Sequence, residues 1–86
     1  AHVFHRLTEL ELWDDTLVLV HADHGEELDD HGMWFDHHGL YDTNVRVPAL
    51  MRLPGGRAAG RVIRDPVTIL DLAPTVLDVL GRPELG

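Results

Sequence analysis

Hydrophobic residues follow two different spacings in the first quarter of the chain, and each spacing predicts an element. Val3, Leu7 and Leu10 recur every three or four positions between charged residues, which predicts an amphipathic helix from Ala1 to about Leu12. Thr16–Val20 is instead an unbroken aliphatic and β-branched run. Such a run is typical of a strand that is buried on both faces of a parallel sheet.

The second half of the chain predicts a helical turn, a strand and a closing helix. The turn is expected over Leu40–Asn44 and the strand over Val45–Leu53, with Pro48 near its start or on an edge. The helix is expected from about Thr68 to Leu80, because the apolar residues Ile69, Ala73, Val76 and Leu80 fall on one face. Thr68 and Asp71 have capping-box spacing, Gly81 suits a C-cap, and Pro74 predicts an irregular first turn.

This order of elements is that of an α/β domain. The apolar elements are too few to cover both faces of a sheet, so we expect the 86 residues to be part of a larger domain. No run approaches the roughly 20 apolar residues of a membrane span. The sequence indicates neither the compartment nor the oligomeric state.

The polar stretch between the predicted strands, residues 21–39, is here called the histidine loop. Asp23 and His24 follow the first strand directly, where ligands gather in open α/β sheets. A carboxylate beside an imidazole predicts half of a divalent metal site, with Gly25 letting the backbone turn sharply. Asp suits Ca²⁺, whereas the histidine moves the preference toward Mn²⁺ or Zn²⁺. The alternative is an ordinary Asp-His-Gly turn with a solvated histidine.

The end of the histidine loop carries a second candidate, the pair His37 and His38. One of them could bind an anion as imidazolium or act as general acid to a leaving group, and the alternative is a solvated pair. His31 is interpreted as a residue that holds the shape of the loop. The remaining acids are interpreted as a solvated rim, in which Glu26 could orient a neighbour: Glu26, Glu27, Asp29 and Asp30.

Composition limits the chemistry that this chain can perform. The formal net charge of -8 argues against nucleic acid as a partner, because few groups are available to neutralise phosphates. The chain contains no cysteine, serine or lysine. Covalent catalysis by any of these three residue types is therefore impossible within it.

Five blocks, in this order and spacing, resemble the later part of the catalytic domain of sulfatases, which belong to the alkaline phosphatase superfamily. The resemblance runs from about Leu10 to Gly81, and the blocks are Asp14–Glu26, Asp30–Gly32, His38–Asp42, Val45–Pro48 and Asp71–Gly81. It implies an α/β sandwich around a mixed, largely parallel sheet, of which residues 1–86 would be the C-terminal portion.

The resemblance also implies a metal site and a substrate. Asp23 and His24 match the later pair of metal ligands, and the metal would be Ca²⁺, with Mn²⁺ as the alternative. By alignment on Leu40 and Tyr41, the lysine that contacts sulfate in the family falls at His37, with His38 beside it. The substrate would be a sulfate ester of a small molecule or glycan.

Two departures from the family pattern bear on activity. The chain has no lysine, so a histidine must make the anion contact, and which of the two does so stays open. The family's formylglycine nucleophile arises from a Cys/Ser-x-Pro-x-Arg motif that is absent here and is expected upstream of Ala1. We therefore expect the isolated chain to lack sulfatase activity and to bind divalent metal weakly. The alternatives are a phosphodiester or phosphonate monoester hydrolase, or a non-catalytic metal-binding domain.

Overall fold

The computed structural model describes residues 2–29, 31, 32 and 34–82 as short helices and strands. Ala1 and Asp30, which the sequence analysis included in the first helix and the acidic rim, lie outside the described residues. The helices and strands are α1 His2–Glu9, β1 Val18–His21, β2 Glu27–Leu28, β3 Trp34–Asp36, α2 Asp42–Val45, β4 Ala49–Arg52 and α3 Leu72–Val79, with 3₁₀ turns at Pro54–Gly56 and Ile69–Asp71. They fall into two compact units, Leu17–Arg52 and the remainder of the chain.

The unit outside Leu17–Arg52 contains α1, which ends earlier than predicted. The helix stops at Glu9, and Glu11 takes a left-handed φ of 58° that turns the chain out of it. Phe4 on α1 packs against Trp13, with ring centroids 5.6 Å apart. The backbone N–H of Gly55 donates to the carbonyl of Asp14 over 2.7 Å, which ties the segment after α1 to the 3₁₀ turn.

Both ends of α3 agree with the prediction. The backbone N–H of Thr68 donates to the Asp71 carboxylate over 2.7 Å, as capping-box spacing requires, and a 3₁₀ turn supplies the irregular start. At the other end Gly81 has a φ of 69°, and Arg82 N–H donates to the Leu77 carbonyl over 2.8 Å. These contacts satisfy carbonyl groups that the last turn would otherwise leave unpaired.

The unit Leu17–Arg52 contains two antiparallel ladders of two strands each. β1 pairs with β4 from Val18 opposite Arg52 to His21 opposite Ala49. β2 pairs with β3 in a short hairpin that has a bulge between Glu27 and Leu28. Helices and strands together agree with the α/β class, whereas parallel pairing in a larger sheet stays a prediction.

Within the described residues no apolar side chain is fully buried. Large apolar side chains are exposed on several elements, and Leu40 reaches 93% exposure. This matches the expectation that these elements are too few to cover a sheet. The described part of the chain also contains no helix that is long and apolar enough to cross a membrane.

Candidate metal centre

The histidine loop lies within one unit and is held against α2 at both of its ends. At its start, the Gly25 N–H donates to the Asn44 carbonyl over 2.7 Å. At its end, the side-chain amide of Asn44 donates to the Gly39 carbonyl over 2.9 Å. A short α2 can therefore keep the two predicted halves of the site close together, although they are separated by more than ten residues in sequence.

Gly25 is needed because the backbone of α2 approaches it closely. Its φ does not lie in the left-handed region, whereas a Cβ at this position would overlap the Thr43 carbonyl. Only glycine leaves room for the Gly25–Asn44 hydrogen bond to form.

Asp23 and His24 lie on the exposed surface directly after β1. The side chain of Asp23 is 85% exposed, and its carboxylate accepts the His24 backbone N–H over 3.0 Å. Bonds from its own backbone N–H and that of His24, with the nearby His24 ring, hold the pKa of Asp23 below its usual value. Asp23 is therefore an ionised carboxylate at neutral pH, which a cation can reach.

The ring of His24 has a defined tautomer. Its Nδ1 lies 2.7 Å from the Gly25 carbonyl oxygen, which can only accept, so Nδ1–H is the donor. This hydrogen bond, followed by the charge of Asp23, raises the pKa of His24. In the neutral ring Nε2 then carries the lone pair, and Asp23 lies on that side, with its Oδ2 3.8 Å from Nε2.

His37 comes from the far end of the loop to meet His24. The two rings stack with centroids 4.4 Å apart and an interplanar angle of 25°. Glu26 joins them, because its Oε2 lies 3.7 Å from Nδ1 of His37. One ligand atom from each of His24, Glu26 and His37 lies within 4.8 Å of the others. Glu26 is exposed, as a rim residue would be, but it faces a predicted site residue.

His38 points to a different partner. Its Nδ1 is hydrogen-bonded to the Asp36 carboxylate, which also accepts the backbone N–H of His37 over 2.7 Å. The hydrogen bond from His38 is the main cause that lowers the pKa of Asp36. The His38 ring stacks on His37 at 5.1 Å and is 80% exposed. The structure thus places His37 against His24 and Glu26, and His38 against Asp36.

The interpretation of Glu27 as part of a solvated rim is wrong, because its side chain is completely buried. Its carboxylate accepts the Thr43 hydroxyl of α2 and lies 3.4 Å from Nδ1 of His31. His31 in turn stacks on Tyr41 at 4.0 Å, so it shapes the loop as predicted. The sequence gives no signal that separates Glu27 from its acidic neighbours, because its partner lies 16 residues away.

The donors at this surface fit a divalent cation. An ionised carboxylate on Asp23 and a lone pair on Nε2 of His24 are both accessible, and neither is committed to a buried partner. Carboxylate oxygens suit hard cations such as Ca²⁺, and imidazole nitrogen suits Mn²⁺ and Zn²⁺. A donor pair of this kind directly after a strand is what the resemblance to the sulfatase class of hydrolases implies.

Comparison with known proteins agrees with this class. Residues 1–82 match the Sulfatase family, so the chain belongs to the sulfatase family. It is 36% identical over 82 residues to the multifunctional alkaline phosphatase superfamily protein PehA of Trinickia caryophylli, covering 94% of this chain. It is 35% identical over 77 residues to human arylsulfatase K, covering 90% of this chain, and 38% identical over 81 residues to the extracellular sulfatase SULF-1 homolog of Drosophila melanogaster, covering 94%.

The matched region is a small part of each relative. The chain spans 16% of PehA, 14% of human arylsulfatase K and 7% of the Drosophila protein. No solved structure matches the chain.

Proposed function

We propose that this chain forms one wall of the active site of a metal-dependent sulfuric ester hydrolase. Asp23 and His24 would hold a divalent cation, Ca²⁺ in the first instance and Mn²⁺ as the alternative. The single observation that carries this proposal is the exposed pair after β1, in which an ionised carboxylate lies 3.8 Å from the lone-pair nitrogen Nε2 of an imidazole. The sulfatase names of the mammalian and Drosophila relatives favour sulfate over phosphate esters as the substrate class.

When bound, the cation would neutralise negative charge that develops on a sulfuryl oxygen. His37 lies next to His24 and would donate a hydrogen bond to a sulfate oxygen, in the place of the family's lysine. His38 would give a proton to the leaving alcohol, because the Asp36 carboxylate accepts its Nδ1–H and so orients the ring. The nucleophile would come from outside these 86 residues, which contain neither cysteine nor serine.

We further propose that β1 and β4 belong to the mixed, largely parallel sheet of an alkaline phosphatase-like sandwich. The aliphatic run of β1 and the exposed apolar side chains of the described residues support this proposal. Further elements that covered these side chains would bury apolar surface and so stabilise the fold.

Metal binding by this pair can be tested on the 86-residue chain with Mn²⁺ as the probe. We expect weak binding, with the amide NMR signals around Asp23 and His24 broadened first by the paramagnetic ion. Asp23→Asn and His24→Ala should each weaken binding by about tenfold or more, since a ligand should be worth at least as much as an outer-shell partner.

The matched control is Asp29→Asn, which removes the same charge from the same loop. Asp29 has a φ of 75°, a conformation that asparagine tolerates, so this variant should bind Mn²⁺ as the unmodified chain does. Equal losses in Asp29→Asn and Asp23→Asn would show nonspecific attraction to an acidic loop. Hydrolysis of 4-nitrophenyl sulfate by the isolated chain would contradict the assignment of the nucleophile to another part of the enzyme.

A further inference from the structure

We propose that Glu26 and His37 join His24 as direct donors to the bound cation, so that the histidine loop alone supplies two imidazoles and a carboxylate. This inference rests on the proposed function, because it concerns the same metal centre. It adds two ligands, Glu26 from the acidic rim and His37 from the pair of candidate anion contacts. With His37 on the cation, the contact to the sulfate oxygen passes to His38. The donor set favours Mn²⁺ or Zn²⁺ over Ca²⁺, since imidazole nitrogen is a poor ligand for Ca²⁺.

The first argument is distance. The three ligand atoms already lie within 4.8 Å of one another, although they come from both ends of the loop. Tetrahedral coordination with bonds of about 2.1 Å needs donors roughly 3.4 Å apart. Closing the remaining gap therefore requires the donor atoms to move inward by about 1 Å and the rings to turn toward a common point. All three side chains are exposed, so these shifts disturb no packed core.

The second argument is the hydrogen bonding of His24. The Gly25 carbonyl accepts its Nδ1–H over 2.7 Å, which sets the tautomer and leaves the Nε2 lone pair for a cation. Metal-binding histidines use this arrangement, in which a carbonyl or carboxylate accepts the proton of the second ring nitrogen.

The third argument is the anchoring of the neighbouring residue. The buried Glu27 carboxylate accepts the Thr43 hydroxyl, which fixes the backbone at the start of β2. Side chains of successive residues in an extended chain point to opposite sides. With Glu27 directed inward, Glu26 is held outward beside His37, where its Oε2 lies 3.7 Å from the ring.

The stacking of the His24 and His37 rings has a consequence that can be measured. Ring nitrogens bind a cation through lone pairs in the plane of the ring, and the planes of His24 and His37 now lie face to face, only 25° from parallel. Lone pairs in nearly parallel planes do not converge. Binding must therefore rotate the rings apart and remove the ring current that each exerts on the other.

The experiment titrates Zn²⁺ and Mn²⁺ into the 86-residue chain and its variants by calorimetry. Glu26→Gln and His37→Asn should each weaken Zn²⁺ binding by about tenfold or more. Asp29→Asn serves as the carboxylate control and His2→Gln as the histidine control from the other unit, and both should retain the affinity. Amide spectra check that each variant keeps the fold.

A second measurement needs no variant. In the unmodified chain, Zn²⁺ should shift the ring C–H signals of His24 and His37 together and leave those of His2, in the other unit, nearly unchanged. Unaltered affinity in Glu26→Gln and His37→Asn, or a ring shift at His24 alone, would overturn the inference.

The outcomes separate this inference from the proposed function. Loss of binding in Asp23→Asn and His24→Ala, with retention in Glu26→Gln and His37→Asn, would leave the proposed function intact and refute the additional ligands. Loss in Glu26→Gln and His37→Asn, with retention in Asp23→Asn, would support the additional ligands and remove Asp23 from the metal site.

Discussion

At Gly25 a hydrogen atom is the largest side chain that the structure accommodates. The residue brings the start of the histidine loop against the backbone of α2, where its N–H bonds to the Asn44 carbonyl. It immediately follows the candidate ligand His24. A change at this one position therefore acts on the candidate metal centre without altering any proposed donor atom.

Gly25→Ala should destabilise the unit by about 1 to 3 kcal/mol, because the added Cβ overlaps the Thr43 carbonyl and forces α2 or the loop to move. Urea unfolding followed by circular dichroism measures the free energy, and amide NMR shows whether the Asn44 signal shifts. Gly32→Ala is the control for backbone strain alone, since Gly32 has a φ of 75° and open space around it. An Asn44 signal that shifts no more in Gly25→Ala than in Gly32→Ala would argue against a steric role for position 25.

Residue-scale prediction from sequence succeeded where the relevant partners are neighbours in the chain. Thr68 and Asp71 are three positions apart, and their capping contact forms as expected. Glu27 was misassigned because burial depends on Thr43, which only the folded loop brings close. The stacking of the His24 and His37 rings was not predicted for the same reason, since no local spacing relates two residues at opposite ends of a loop.

At the scale of elements, sequence pattern located α1, β1, β4, α2 and α3 but missed the hairpin of β2 and β3. Among the located elements, α1 and α3 carry a helical apolar spacing and β1 carries a continuous aliphatic run. β2 is only two residues long, and β3 three, so neither is long enough to show the alternation that identifies a strand. Both strands lie within the polar histidine loop, and β2 is held by a long-range contact in which the Thr43 hydroxyl of α2 donates to Glu27.

The cap of α3 allows a prediction at this scale. Asp71→Ala should destabilise the unit that contains α3 by about 1 kcal/mol, because the backbone N–H of Thr68 loses its acceptor at the start of the helix. Loss of helical circular dichroism on urea titration measures the change. Asp78→Ala removes the same charge near the other end of α3, where a negative side chain opposes the helix dipole, and it should be neutral or slightly stabilising. A cost in Asp78→Ala equal to that in Asp71→Ala would mean that charge, rather than the cap, matters.

At the scale of the whole chain, the described residues form no buried apolar core. The completely buried side chain is that of Glu27, whereas large apolar residues such as Leu40 and Leu70 stay exposed. Hydrophobic burial is the dominant favourable contribution to folding, and here it is small. The sequence anticipated this from the number of apolar elements, although it could not show which of their faces stay uncovered.

The isolated 86-residue chain should therefore have a free energy of unfolding below about 5 kcal/mol, the lower end of the range for globular domains. Urea unfolding monitored by tryptophan fluorescence and circular dichroism tests this value. Each unit contains one tryptophan, Trp13 or Trp34, so the fluorescence curve should show two transitions if the two units unfold independently. A single sharp transition with a free energy well above this limit would contradict the picture of a sparsely packed chain.

The hydrogen bond between the Gly25 amide and the Asn44 carbonyl makes the opening of the candidate metal centre observable in solution. Gly25 lies in a loop, where amide hydrogens usually exchange with solvent quickly. This hydrogen is held by α2, 19 positions further along the chain, so it exchanges only when the loop and α2 separate. Its exchange rate therefore measures how often the segment that carries His24 and Glu26 separates from α2.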